Sequence, residues 1–284
     1  MVQWQNVSFP SLRRGFDSPH PLHRYDACVP KRFSFETVDA ADYEELRPGY
    51  APKAVAWVAE RGDLVPGSRV VDLAAGTGLL SRRFVAMGAD VVGVEPASNM
   101  RAVLGKRVPQ VRVVDGTAES IPLDDASVDA VVVANAFHHF APEAAFAEIR
   151  RVLRPGGILA LFWAWMIEDR SPRYPWIREV ETVTQADPAS RDISAAYRTW
   201  RRAPASGAGF GPFERREFPM SHTIASARIA DLYATSSDVA SLPTATRDAL
   251  LDRIRALSMG QPPMMDLAGK SVVDLCSRHD GKEE

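Results

Sequence analysis

One stretch constrains this chain more than any other: Val70 to Phe84, which reads VVDLAAGTGLLSRRF. An apolar run rich in β-branched residues stops at Asp72, a turn carrying Gly76 and Gly78 follows, and an amphipathic pattern begins at Leu79. A strand that passes through a tight turn into a helix is how an α/β sheet builds a nucleotide crevice. The two glycines let the backbone take positive φ and approach a ligand with no Cβ in the way.

The turn also limits which nucleotide it accepts. The dinucleotide pattern needs a third glycine where this chain has Ser81, and the phosphate-loop pattern needs a lysine that is absent here. A carboxylate at Asp72 would repel a pyrophosphate laid on the turn. It suits a ligand with an ammonium group and no phosphate, and S-adenosylmethionine is such a ligand. The next apolar run, DVVGVE, ends at Glu95. That acid follows the turn at about the ~20-residue distance where such crevices keep a ribose-binding acid. A carboxylate there accepts hydrogen bonds from both ribose hydroxyls.

Five segments, in order, carry a resemblance to a known family. They are Val70 to Phe84, VVGVEP from Val91, GTAESIPL from Gly116, VDAVVVANAF from Val128, and RVLRPGG from Arg151. Together they resemble the class I S-adenosylmethionine-dependent methyltransferases of the type 11 domain group, nearest to the trans-aconitate methyltransferase branch. The resemblance covers roughly Ala41 to Phe162. It implies a Rossmann-like, doubly wound, mostly parallel seven-stranded sheet with a helical cap insertion and an antiparallel last strand. It also implies a cofactor site. Asp72, Ala74, Gly76 and Gly78 would form the turn, and Glu95, Pro96 and Met100 the ribose side. Thr117, Ala118 and Glu119 would form the adenine pocket. Thr117 stands where many relatives have an aspartate, so recognition of the adenine amino group would shift to its hydroxyl or to the backbone. Asn135 and Ala136 would hold the methionine portion. In such families a Tyr…Arg-Pro-x-Tyr segment, here Tyr43 to Tyr50, folds over the cofactor, and Arg47 would grip its carboxylate as a bidentate fork.

Strand and helix patterns alternate from Val70 onward, which independently predicts an α/β, doubly wound parallel sheet. The expected strands are 70–73, 91–94, 111–114 and 128–134, with a fifth after Pro155, Gly156 and Gly157 force a turn. Residues 33–284 read as one domain: a core over 41–163, a helical cap over about 164–212, and C-terminal strands and helices over 213–277. Residues 1–32 lack periodicity and read as disordered or as lying outside the natural reading frame. Phe16, Asp17 and Ser18 back-translate to TTC-GAY-TCN, which matches the T-arm of most transfer RNA genes, and translation would then start near Val29.

The formal net charge is −2, and no long basic run appears, so nucleic acid is not the favoured partner. Two cysteines, far apart, make neither a disulfide framework nor a metal site, and a reducing cytoplasm is the simplest location. The longest apolar run, Ile158 to Ile167, is too short to span a bilayer. The expected partner is a small-molecule substrate, with the protein a monomer or homodimer.

Methyl transfer is a displacement at carbon, in which the protein must align the two reactants, exclude water and set the acceptor's protonation state. His138 and His139, just past the fourth strand, are the candidate catalytic bases. Trp163, Trp165, Tyr174, Trp176, Tyr197 and Trp200 either receive a flat substrate or fill core. Arginines 170, 173, 178, 198, 201 and 202 would receive an anion or coat the cap. The leading expectation is methylation of a small molecule, on a carboxylate or hydroxyl. The alternatives are an aromatic or quinone-like acceptor, or a regulatory protein that binds S-adenosylmethionine without turnover.

Overall fold

The computed structural model describes residues 34–166, 174–192 and 209–279. The expectations for residues 1–32, for Tyr197 and Trp200, and for the arginines at 170, 173, 198, 201 and 202 fall outside those residues, as does the side chain of Trp165.

A seven-stranded sheet forms the centre. Its strands are β1 (Arg69–Leu73), β2 (Asp90–Val94), β3 (Arg112–Val114), β4 (Val128–Ala134), β5 (Leu153–Met166), β6 (Glu214–Ala225) and β7 (Met264–Ser277). They lie in the order β3-β2-β1-β4-β5-β7-β6. The first five are parallel, and β7 runs antiparallel to both β5 and β6. The chain therefore winds outward from β1 to β3, then crosses back to lay β4 on the other side of β1. That reversal opens a crevice at the carboxyl ends of β1 and β4.

The central strands are apolar because helices cover both faces. Val70, Val71 and Leu73 of β1, and Ala130 to Val133 of β4, are almost wholly buried. One face of the sheet packs against α5 (Pro142–Val152) through Ala145, Phe146, Ile149 and Val152. Pro142 sits in the first turn of this helix, where a missing N–H costs nothing. Burying each of the larger side chains on this stripe stabilises the fold by about 1.5–3 kcal/mol. The first helix, α1 (Ala40–Leu46), precedes the sheet, and the other face packs against α2 (Pro52–Arg61), α3 (Ser81–Val85) and α4 (Ser98–Arg107).

Two strands are longer than their local pattern predicts. β5 begins at Leu153, opposite Val128, and the register then shifts so that Ile158 faces Ala130. The Pro-Gly-Gly segment is thus an irregularity inside β5 rather than a turn before it, and Gly156 takes φ +75° there. β7 starts at Met264 because it pairs along its length with β6.

The outer end of the fold holds a separate apolar cluster. It contains Tyr174, just before α6 (Trp176–Ala186), Trp176 and Val180 of that helix, and residues of α7 (Ile229–Ala234), α8 (Ser237–Ala240) and α9 (Thr244–Ser258). Tyr174 and Trp176 are core here, with ring centroids 5.8 Å apart, whereas Arg178 is exposed. Among the described residues, no helix is long and apolar enough to cross a membrane. Cys276 is buried in β7.

Candidate functional site

The site begins where β1 stops. Ala74, Gly76 and Gly78 all take positive φ, at +57°, +56° and +89°. A side chain at Gly78 is doubly excluded, because its Cβ would lie 2.4 Å from Leu104 Cδ1. The Ala75 N–H donates to the Val94 carbonyl at 3.1 Å and ties the turn to β2.

Glu95, at the end of β2, faces this turn. One carboxylate oxygen accepts from the Gly76 N–H at 2.8 Å, the other from the Ala97 N–H at 2.9 Å. Burial raises its pKa, and the two backbone N–H bonds partly offset that rise. Each oxygen keeps a further lone pair, so the carboxylate is fixed in place and still able to accept from a diol.

Asp72 lies beneath the turn, is wholly buried, and does not line the crevice. Its Oδ2 accepts from the Ser81 hydroxyl at 2.6 Å, and its Oδ1 has no partner among the described residues. Burial pushes its pKa up to about 7, against the pull of the Ser81 bond. The position that breaks the dinucleotide pattern thus serves the acid at the end of the strand. The spacing of Asp72 and Ser81, spanning strand end to helix start, is the signal for that pair.

A cavity of about 290 Å³ opens over these residues. It is lined by Ala74, Gly76, Glu95, Pro96 and Met100 at one end, and by Thr117, Ala118 and Glu119 at the other. Asn135, Ala136 and His139 form a third side. Gly78 and His138 are outside the lining, as is Asp72. Thr117 and Ser120 close their loop with a pair of backbone hydrogen bonds, which holds Ala118 and Glu119 at the cavity. Glu119 also accepts from the N–H of Ala141, the residue that caps α5.

The cavity has a wall that sequence reading missed. A short 3-10 turn, Phe35–Thr37, brings Phe35 and Glu36 to its mouth. The Phe35 ring stands edge-on to Tyr43 and to His139, at 6.1 and 5.9 Å. Glu36 accepts from the Ser98 N–H at the start of α4, at 2.5 Å, and Asn99 Nδ2 donates to the Phe35 carbonyl at 3.0 Å. The aromatic at Phe35 is the one local signal, but nothing near it in sequence identifies its neighbours.

Burial lowers both imidazoles' pKa values, that of His138 well below the usual range and that of His139 to about 4. Both are neutral at neutral pH. His138 is turned from the cavity toward Trp163, with ring centroids 5.9 Å apart. Trp163 itself is core, with 1% of its surface exposed.

A second cavity, about 210 Å³, adjoins the first and shares Tyr43 and Asn135 with it. Arg47, Tyr50, Leu79 and Ala164 line one side, and Leu232, Tyr233 and Ser236 of the outer helices line the other. Arg47 belongs to this cavity. It lies 5.3 Å from the centre of the Tyr43 ring, and its Nε donates to Thr235 Oγ1 at 2.8 Å. Among the described residues no carboxylate pairs with Arg47, and no Asp, Glu or His lines the second cavity.

The geometry suits S-adenosylmethionine. A left-handed turn clears space for a ligand, a fixed carboxylate is able to accept from a diol, and one Asp72 oxygen lacks a donor among the described residues. Comparison with known proteins agrees. Residues 71–161 match the family model for a methyltransferase domain. An uncharacterized methyltransferase of Mycobacterium bovis is 38% identical over 242 residues, which cover 83% of this chain and 91% of that protein. The demethylmenaquinone methyltransferase of Renibacterium salmoninarum is 39% identical, but only over 34% of this chain and 41% of its own. A solved structure from Anaeromyxobacter dehalogenans, provisionally described as a type II methyltransferase, superposes with a TM-score of 0.57 at 22% identity. That superposition covers 82% of this chain and 98% of the other.

Proposed function

This chain belongs to the class I S-adenosylmethionine-dependent methyltransferases, and we propose that it methylates a small molecule held in the second cavity, on a carboxylate oxygen. S-adenosylmethionine supplies an electrophilic methyl group on a sulfonium. Glu95 would hold the ribose diol, and the loop of Thr117, Ala118 and Glu119 the adenine. The turn at Ala74 and Gly76, with Asn135 and Ala136 opposite, would hold the methionine portion. Arg47, in the second cavity beside Tyr43, would take its carboxylate. Asp72 acts on this portion from beneath the turn rather than as a wall of the cavity.

The observation that carries the choice of acceptor is the absence of an Asp, Glu or His from the second cavity among the described residues. His139 lies in the nucleoside cavity, and a group with a pKa of about 4 is a poor proton acceptor from an alcohol. An acceptor that arrives already ionised needs no base. Carboxylates are ionised at neutral pH, and alcohols are not. The protein's work is then to align the two reactants and exclude water, which the aromatic wall of Phe35, Tyr43 and Tyr50 supports.

The test is transfer of a labelled methyl group from S-adenosylmethionine to a metabolite extract. A labelled product that releases methanol in mild alkali is an ester and supports the reading. A label stable to alkali sinks the carboxylate assignment.

One observation favours a second reading. Tyr50 and Tyr233 give the second cavity two aromatic walls, and the partial relative from Renibacterium salmoninarum acts, by its name, on demethylmenaquinone. A flat aromatic or quinone-like acceptor suits such walls. The alkali-stable outcome belongs to this reading.

A further inference from the structure

β4 and β5 run parallel, with Ala134 opposite Phe162. In a parallel ladder, a residue that donates its N–H to one residue of the neighbouring strand accepts, through its own carbonyl, from the N–H two residues further along. Asn135 obeys the first half of this rule, since its N–H donates to the Phe162 carbonyl at 2.8 Å. The second half is changed. The Ala164 N–H, which the ladder would bring to the Asn135 carbonyl, donates instead to Asn135 Oδ1 at 2.9 Å. The backbone of Asn135 is left-handed, at φ +50°, and among the described residues the Ala164 N–H makes no hydrogen bond to its carbonyl.

The rest of the side chain is also engaged. Asn135 Nδ2 donates to the Tyr50 hydroxyl at 3.1 Å. Tyr50 is 4% exposed and stands edge-on to Phe162, with ring centroids 5.8 Å apart. The amide of Asn135 is thus held from both sides, at a residue that lines both cavities.

We infer that Asn135 is a positioning residue. Its side-chain amide replaces its own main-chain carbonyl in the sheet, which releases that carbonyl as an acceptor where the two cavities meet, and Tyr50 holds the amide in this role. The inference rests on the S-adenosylmethionine reading of the site, because the released carbonyl is there to receive the ammonium of the methionine portion. It also explains the residue type. Glycine tolerates a left-handed backbone better than asparagine does, so backbone freedom alone would select glycine. Only a side-chain acceptor of this length allows the substitution in the ladder.

The two requirements are separable by mutation. Asn135→Gly keeps the backbone freedom and lets the Ala164 N–H recapture the main-chain carbonyl. Asn135→Asp keeps an acceptor for Ala164, and its second oxygen accepts from the Tyr50 hydroxyl. Titration calorimetry with S-adenosylhomocysteine should show about a tenfold or greater loss of affinity for Asn135→Gly, the size of one lost hydrogen bond to a charged group. Asn135→Asp should stay within about threefold of the parent protein. Stability, read from urea unfolding, should rank the other way, because the aspartate buries a charge. Tyr50→Phe removes one hydroxyl from a buried ring and preserves its shape. It should lower kcat and cofactor affinity together while leaving KM for the acceptor near its parent value.

Equal affinities for the glycine and parent proteins, or equal losses for glycine and aspartate, overturn the inference. An unchanged kcat in Tyr50→Phe overturns the role given to Tyr50. Failure of the parent protein to bind S-adenosylhomocysteine overturns the cofactor reading, and this inference with it. That outcome is visible before any variant is compared.

Discussion

The Ser81 hydroxyl donates to the Asp72 carboxylate at 2.6 Å beneath the glycine turn, and both side chains are wholly buried. This hydrogen bond joins the end of β1 to the start of α3. Ser81→Ala should destabilise the fold by about 1–3 kcal/mol, the cost of leaving a buried polar group without its partner. Urea unfolding at neutral pH measures it. A loss below about 0.5 kcal/mol would show that the pair does not brace the turn.

The raised pKa of Asp72 should make cofactor binding depend on pH. A carboxylate at about 7 in the free protein is largely protonated at pH 6 and ionised at pH 8, and only the ionised form attracts a cation. Affinity for S-adenosylmethionine should therefore rise with pH through 7, approaching about tenfold per unit on the acid side. Stability runs the opposite way. The folded pKa lies above the unfolded value of 3.8, so the folded chain holds the extra proton between the two. Stability from this group is greatest below 3.8 and falls as pH rises toward 7. Asp72→Asn should flatten both trends in calorimetry and in unfolding.

Glu95 tests the ribose assignment. Glu95→Ala should weaken S-adenosylmethionine binding by about 1–3 kcal/mol, through loss of charge-assisted hydrogen bonds. It also leaves the Gly76 and Ala97 N–H groups without their acceptor. Unchanged affinity in calorimetry would refute the assignment.

Arg47→Lys separates a guanidinium fork from a point charge. The lysine keeps the charge but loses both the fork and the Nε bond to Thr235. KM for S-adenosylmethionine should rise about tenfold with kcat little changed, since two hydrogen bonds of ordinary strength are at stake. A rise confined to the acceptor's KM would move Arg47 from the cofactor to the substrate.

His139 should act on binding rather than on proton transfer. Its ring contacts Phe35 at the mouth of the first cavity, and its pKa of about 4 removes it from titration near neutral pH. His139→Ala should raise KM for S-adenosylmethionine and leave the shape of the kcat profile between pH 6 and 8 unchanged. Loss of an ionisation from that profile would restore it as a general base.

The parts of this site legible in sequence are those that local rules place. A β-branched run ending in an acid, two glycines and an amphipathic start specify Gly76, Gly78 and Glu95, because strand period, turn sterics and chain length act over a few residues. Thr117 to Glu119 and Asn135 to His139 follow because strand ends on one edge of a parallel sheet share a crevice. Local rules do not say which way adjacent residues face. His138 and His139 share one 3-10 turn, yet one packs toward Trp163 and the other lines the cavity.

By itself, then, the sequence determined a doubly wound sheet, a left-handed turn at its reversal point and a cofactor without phosphate, since each rests on backbone sterics and short-range charge. Tertiary structure alone decided that Thr235 would hold Arg47, and that Tyr50 and Ala164 would clamp Asn135. It also decided that Phe35 would close the first cavity and Tyr233 would wall the second. Those partners lie far apart in the chain. Their meeting depends on how helices settle on the sheet, and that arrangement is set by packing summed over the whole core.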